Sequence, residues 1–432
     1  AIQERRGAAA DRARRIALVG LRGAGKSTLG RKLAEYLGVP FLELNRVIEQ
    51  TYGASAAMLI ELSGLATFRK YEHECLQRVI ANHDAAVIAT AGGIVSNPQT
   101  YELLLRRTHA IWIKARPEEH MARVIAQGDF RPMADNREAM GDLVQLGLAG
   151  NLKDFSFRLN SSGQVVTGKQ VDYNGSPAGY ASNPDEVITY VDAHDNETLF
   201  DSLTFKLPVA TSMSDRVRMN TLSLATTALA QTPSFWHAGA DLLRSKSLDR
   251  NSYDSGDWFN RLDWTGNDNG FGHGLPLKGD NEAKWSYMRP LLGNAALKPS
   301  AQDVATATAQ AQQMLELRYS TRLLRLGSTG AIKAKLTFPA SGTADATPGV
   351  IVMRIDDTVG ADLDPGLKGL VVVFNATPNA VTQVVPGMSG MTLALSPVQA
   401  GGSDPVVKTS AWNTDAGSAT VPARTVAVFV QK

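Results

Sequence analysis

The sequence predicts a multidomain chain, with an α/β domain built on a phosphate-binding loop at its start and an all-β sandwich at its end. Three observations predict this. A GxxxxGK[ST] motif stands between a short apolar run and a helical repeat near the amino end. After Ala331, short apolar runs alternate with Gly, Pro, Asn and Asp. Between Met140 and Asn151 the composition changes: of the tryptophans only Trp112 precedes that stretch, and most prolines follow it. A chain of 432 residues has room for two or three sizeable cores.

The net charge of +2 hides a mildly basic first part and a mildly acidic remainder. Neither is extreme enough to argue for nucleic acid. The lone Cys75 excludes an internal disulfide and reads as a core residue. No apolar run approaches the roughly 18–20 residues that cross a bilayer. Arg5, Arg6, Arg12, Arg14 and Arg15 lead into a short strand rather than a long secretory apolar stretch, so a cytoplasmic location with no membrane partner is expected.

In the first domain, Ile16–Val19 is a buried-strand run, and Gly20-Leu-Arg-Gly-Ala-Gly-Lys-Ser27 follows at once. Leu29, Leu33 and Leu37 then recur every four residues, as on one face of a helix ending near Gly38. Glycines Gly20, Gly23 and Gly25 let backbone N–H groups curl around phosphates, and the helix start adds a favourable dipole. Lys26 would reach the β/γ-phosphates and Ser27 would hold Mg²⁺ with ATP. Phe41–Leu44, Ala86–Ala89 and Ala110–Ile113 read as further strands, with helices over Arg46–Tyr52 and from Glu118. Ligands of such sheets lie at the strands' carboxyl ends, where Glu43, Asn45, Gly92 and Gly93 fall.

The run of motifs GxxGAGKST, FxELN, FRxYE, ATxGG and FRP resembles the shikimate kinase family over residues 14–141. It is most similar to the benzoyl-CoA-sensing domain of helix-turn-helix repressors. The resemblance implies that Lys26, Ser27 and Thr28 form the nucleotide and Mg²⁺ site. It makes Arg69 the partner of a substrate carboxylate, Gly92 and Gly93 the acceptor-site turn, and Arg131 the lid arginine over phosphate. Arginine suits both tasks because its planar fork grips two oxygens at once. The kinases carry two aspartates where this chain has Glu43 and Asn45, and the first glycine of their turn is Ala91 here. Asn45 cannot accept a proton, so no confident catalytic residue is assigned and binding is expected in preference to transfer. The family pattern stops at Leu148-Ala-Gly-Asn151, before its closing elements.

Beyond that point Val187–Val191 reads as a strand delivering Asp192-Ala-His-Asp-Asn196 at its end. A helix over Thr221–Leu229, a strand over Ser234–Ala238 and a polar loop with aromatics over Arg244–Asn260 follow. The segments YVDAHDNETLFD and LLRSK…NSYDSGDWFNR resemble bacterial pullulanases of the α-amylase superfamily, over about residues 144–432. By that resemblance His194 and Asp195 contact sugar at the cleavage subsite, and Asp257 with Arg261 forms a neighbouring sugar-binding pair. It also implies a partial (β/α) barrel remnant over 142–310, whose exposed strand edges are apolar. The paired catalytic carboxylates of a retaining glycosidase would lie on earlier strands, so pullulanase activity is not expected. The runs Ala334–Phe338, Val350–Ile355, Gly369–Phe374, Thr392–Leu395 and Thr425–Val430 predict the sandwich over 311–432, with Asp356-Asp357 as a solvated turn.

The expected domains are therefore 1–141, 142–310 and 311–432, joined as a fusion of two incomplete proteins. The expected function is nucleotide or acyl-CoA binding. A small-molecule kinase and an α-glucan-binding remnant are the alternatives. Nucleic acid is not an expected partner, because about 15 residues before Ile16 cannot hold a helix-turn-helix.

Overall fold

The computed structural model describes residues 12, 14–20, 26–53, 59, 65–91, 94–113, 134–173 and 176–432. The chain divides into two compact units, Ala1–Asp135 and Asn136–Lys432.

The first unit is built on four parallel strands: β1 (Arg14–Val19), β2 (Phe41–Glu43), β3 (Ala85–Ala89) and β4 (His109–Trp112), in the order β2-β3-β1-β4. Ala17, Leu18, Ala86, Val87 and Ile88 are wholly buried, as in a sheet covered on both faces. Helices α1 (Lys26–Leu37), α2 (Leu44–Tyr52), α3 (Leu65–Asn82) and α4 (Pro98–Arg107) connect the strands. Cys75 lies in this core. The expected leucine face of α1 is not its buried face: Leu29 and Leu37 are exposed, whereas Gly30 and Ala34 are buried. The reason is close approach, since a Cβ on Gly30 would meet a Phe41 ring carbon at 2.5 Å and a Leu18 methyl at 3.0 Å. Small residues let the helix lie flat on the sheet. Arg15, 5% exposed, donates to the carbonyls of Ile80, His83 and Arg107, and so gathers the carboxyl ends of α3 and α4. The helix expected from Glu118 lies outside the described residues.

In the second unit, α5 (Ala134–Leu148) contributes Leu146 and Leu148 to a core shared with Phe155, Met314, Ile355 and Val428. Asp142 ties this helix to the hairpin β5 (Ser156–Arg158) and β6 (Val165–Thr167), accepting from Asn160 N at 2.6 Å and Ser161 Oγ at 2.6 Å. A second small hairpin pairs β7 (Asp172–Tyr173) with β8 (Ser176–Pro177). Helices α6 (Leu199–Lys206), α7 (Met213–Ala228), α8 (Trp285–Leu292) and α9 (Ala301–Ser320) follow, with α7 packed along α9.

The sandwich has a five-stranded sheet containing β9 (Leu336–Thr337), β10 (Val350–Asp356), β11 (Gly369–Asn375), β13 (Ala394–Leu395) and β16 (Thr425–Gln431). Its partner sheet holds β12 (Val381–Val384), β14 (Ala411–Asn413) and β15 (Ser418–Val421). Side chains alternate across each strand. Val371, Val373, Ala427 and Phe429 face the small sheet's Ala419 and Val421. Leu370, Val372, Val426 and Val428 face the other core, with Leu146 and Leu229. The large sheet is thus buried on both sides, and the preceding helical segment is part of its support.

Three expectations need correction. The segments 187–191 and 234–238 are not full strands: they meet in a single parallel bridge, Thr189 with Ser234. Two short segments flanked by no further strand among the described residues form a marginal ribbon. Ile188, Tyr190 and Phe235 in these segments are open to solvent. The run Ala334–Phe338 is divided: Ala334 and Lys335 end a helix, α10 (Thr329–Lys335), and only Leu336 and Thr337 form β9. Asp357 is not solvated: it is buried, with its carboxylate 2.8 Å from the Lys335 ammonium.

Candidate functional site

In the first unit the parallel strands bring Gly20, Glu43, Ala91 and Ile113 to one edge of the sheet. Lys26 opens α1 there, 8% exposed, and its ammonium donates to the Gly20 carbonyl at 2.7 Å. A buried ammonium needs acceptors. This one is held beside a helix amino end, where phosphate oxygens are favoured. Ser27 and Thr28 are exposed next to it. A Ser27 hydroxyl at this place can join the shell of a Mg²⁺ ion, so the residues present fit a Mg²⁺–nucleotide. Thr90 closes the strand end by donating to the Leu18 carbonyl at 3.0 Å.

On the acceptor side, Glu43 pairs with Arg46 at 3.0 Å. Asn45 lies in the first turn of α2 without capping it, since the N-cap residue is Glu43. Its Oδ1 is buried and receives no hydrogen bond from the described residues. Arg69 donates to Glu72 at 3.0 Å, and Glu72 is wholly buried, which fixes the guanidinium. Glu72 was not singled out from the sequence, although its three-residue spacing from Arg69 on a helix signals the pair. Gly23, Gly25, Gly92, Gly93 and Arg131 lie outside the described residues.

In the second unit His194 and Asp195 stand on a turn ahead of α6. Their side chains are 87% and 79% exposed, and 3.7 Å separates Nε2 from Oδ1. What holds the turn lies beneath it. Asp192, buried, accepts from Leu199 N at 3.0 Å and approaches His237 Nδ1 at 3.4 Å. Glu197 pairs with Lys284 at 3.1 Å. Lys246, 1% exposed, donates its ammonium to the His194 carbonyl at 3.1 Å. Burial pulls its pKa down, against the neighbouring Asp201 and Asp249. Asp201, fully buried, accepts from Ser245 Oγ at 2.5 Å, Lys246 N at 2.8 Å and Leu248 N at 3.2 Å. Burial raises its carboxyl to about 6 despite those donors.

Asp257 and Arg261 do not pair through their side chains. Arg261 lies 3.5 Å from Asp268, which also takes Lys298 at 3.0 Å and His273 at 2.8 Å. Burial works against charge on Asp268, yet the Gly270 N–H, Lys298 and His273 outweigh it and hold the carboxyl at about 2. Trp258, exposed, leans on the His273 ring at 4.8 Å. Lys246 and Asp201 escaped the sequence reading. The one signal was a lysine among small residues in Arg244-Ser-Lys-Ser-Leu248. Among the described residues no cluster of His, Cys, Asp and Glu has a metal-holding arrangement. No helix among them is long and apolar enough to cross a membrane.

Comparison with known proteins divides the chain in the same sense. The family model for shikimate kinase matches residues 22–150. The model for the carboxyl-terminal part of pullulanase-type α-1,6-glucosidases matches 266–432. The shikimate kinase of Symbiobacterium thermophilum is 39% identical over 135 residues, which is 31% of this chain and 77% of that protein. The chloroplastic pullulanase 1 of Arabidopsis thaliana is 42% identical over 294 residues, 67% of this chain but only 30% of that protein. The chain therefore spans less than a third of the length of the pullulanases it matches. The structure of the maltotriose complex of PulA from Klebsiella pneumoniae aligns with a TM-score of 0.65 at 38% identity, over 69% of this chain and 32% of that one. The chain thus belongs, through its first part, to the shikimate kinase family, and that part is joined, as in a fusion, to a carboxyl-terminal part similar to pullulanases.

Proposed function

We propose that the first unit binds a nucleotide or an acyl-CoA through its phosphates, with Mg²⁺ in the nucleotide case, and transfers phosphate poorly or not at all. The observation that carries the binding is Lys26, buried at the start of α1 with its ammonium on the carbonyl that ends β1. Gly20, Gly23 and Gly25 would complete the phosphate cradle, Ser27 and Thr28 would face the ion, and Arg131 would close over phosphate. The Asn45 amide oxygen can accept a hydroxyl proton in a hydrogen bond but cannot remove it. Calorimetry with Mg²⁺–ATP and with benzoyl-CoA tests this. Lys26→Ala should weaken the ligand that binds about ten- to hundredfold, the cost of a hydrogen bond to a charged group. Unchanged affinity would sink the reading.

A second reading, a kinase acting on shikimate or a similar small acid, is favoured by the fixed Arg69 and by the shikimate kinase relatives. There Arg69 holds the carboxylate, and Glu43, Gly92 and Gly93 line the acceptor. Phosphate transfer to shikimate, improved by Asn45→Asp, would favour it. We propose for the second unit α-glucan binding without debranching activity. In this reading His194 and Asp195 contact sugar, and Asp257 and Arg261 lie at the flank. Reducing sugar released from pullulan by the purified chain would contradict that. A cytoplasmic location goes with these readings.

A further inference from the structure

We propose that Lys246 is a positioning residue for the His194–Asp195 turn, fixing the main-chain carbonyl of His194 from below so that both side chains stand out toward a glucan. The glucan half of this rests on the reading of that turn given above; the anchoring half does not.

An ammonium removed from water is costly unless it is fully partnered, and Lys246 is among the most deeply buried large side chains. Its ammonium spends a hydrogen bond on an exposed turn, 3.1 Å from His194 O. The backbone from which it reaches is unusually constrained. Leu243, Ser247 and Leu248 all have left-handed φ, at 55°, 53° and 67°, a conformation that costs non-glycine residues energy. Three donors of this loop converge on Asp201. Ser247 Oγ donates to Gly274 O at 2.6 Å, and Ser245 N donates to Asn269 O at 2.7 Å. Gly270 passes so close that a Cβ there would sit 2.4 Å from Ser245 O. Asp201 also belongs to the first turn of α6, the helix that follows the His194 turn, and Thr198 caps that helix through Asp201 N. The base of the lysine and the far end of the turn are therefore tied to one carboxylate. With Asp192 holding Leu199 N and Glu197 held by Lys284, the turn is pinned at both flanks. Lys246 supplies the point in the middle.

Hydrogen exchange of residues 193–198 in the full chain, with maltotriose titration, tests the proposal in Lys246→Met, with His194→Ala as reference. Methionine nearly preserves volume but removes the charge that faces Asp201 and Asp249, so the thermal midpoint should fall somewhat. Exchange in 193–198 should quicken at least tenfold, and maltotriose binding should weaken as far as in His194→Ala. A purely structural lysine would instead speed exchange throughout the unit, with no excess in 193–198. Lys246→Gln, shorter and still polar, gives the same test should the Met variant not fold. Unchanged exchange in 193–198 overturns the positioning role. Loosened exchange in a chain that never binds maltotriose leaves that role standing and removes the glucan reading alone.

Discussion

Lys335 and Asp357 place an ion pair inside the second unit, 3% and 1% exposed, and finish it with local bonds. The ammonium donates to the carbonyls of Asp357 and Val359, and the carboxylate accepts from Leu363 N and Asp364 N. Removing one member strands the other. Lys335→Ala should cost about 3–5 kcal/mol in urea unfolding. Asp201 makes a prediction with pH. Its folded pKa of about 6 lies above its ordinary 3.8, so its stabilising contribution is complete below pH 3.8 and is lost as pH rises through 6. The stability of the parent relative to Asp201→Asn should fall by roughly 2–3 kcal/mol between pH 4 and pH 7; a flat difference would refute it. At this scale Lys26 and Asn45 were legible, because a local motif states their neighbours. Lys246 and Asp357 were not. Their partners lie 52 and 22 residues away in sequence, and only folding brings them together.

Among the elements, the parallel strands of the first unit were legible as short apolar runs. The contact face of α1 was misread because leucine periodicity and small-residue packing compete on one helix, and close approach to Phe41 settled the matter for Gly30 and Ala34. Gly30→Val should therefore destabilise the first unit by about 1–3 kcal/mol through overpacking, checked by its unfolding midpoint. Leu29→Ala, on the exposed side, should matter far less. The segments 187–191 and 234–238 have strand composition, yet a strand needs neighbours to be one. The longest β-runs of the sandwich did become strands, because β10, β11 and β16 pair with one another along their whole length.

Among the described residues, every apolar cluster lies within one unit or the other. Those around Leu44, Leu18 and Ile88 belong to the first, and the rest belong to the second. Separate cores predict two calorimetric transitions. Mg²⁺–ATP at a hundred times its Kd should raise the first by about 2.7 kcal/mol of stability and leave the second in place. One merged transition shifted by ligand would contradict this. The two-part organisation was legible from tryptophan and proline usage.

The shikimate kinase likeness runs to residue 150, whereas the second compact unit already begins at Asn136. Leu146, Leu148 and Ala149 sit in the second unit's core while carrying the first family's pattern. The pullulanase match, at 67% of the chain, is longer than the part that follows residue 150, so both likenesses meet in this stretch. Leu146→Ala should cost the pullulanase-like unit about 2–5 kcal/mol and spare the first unit.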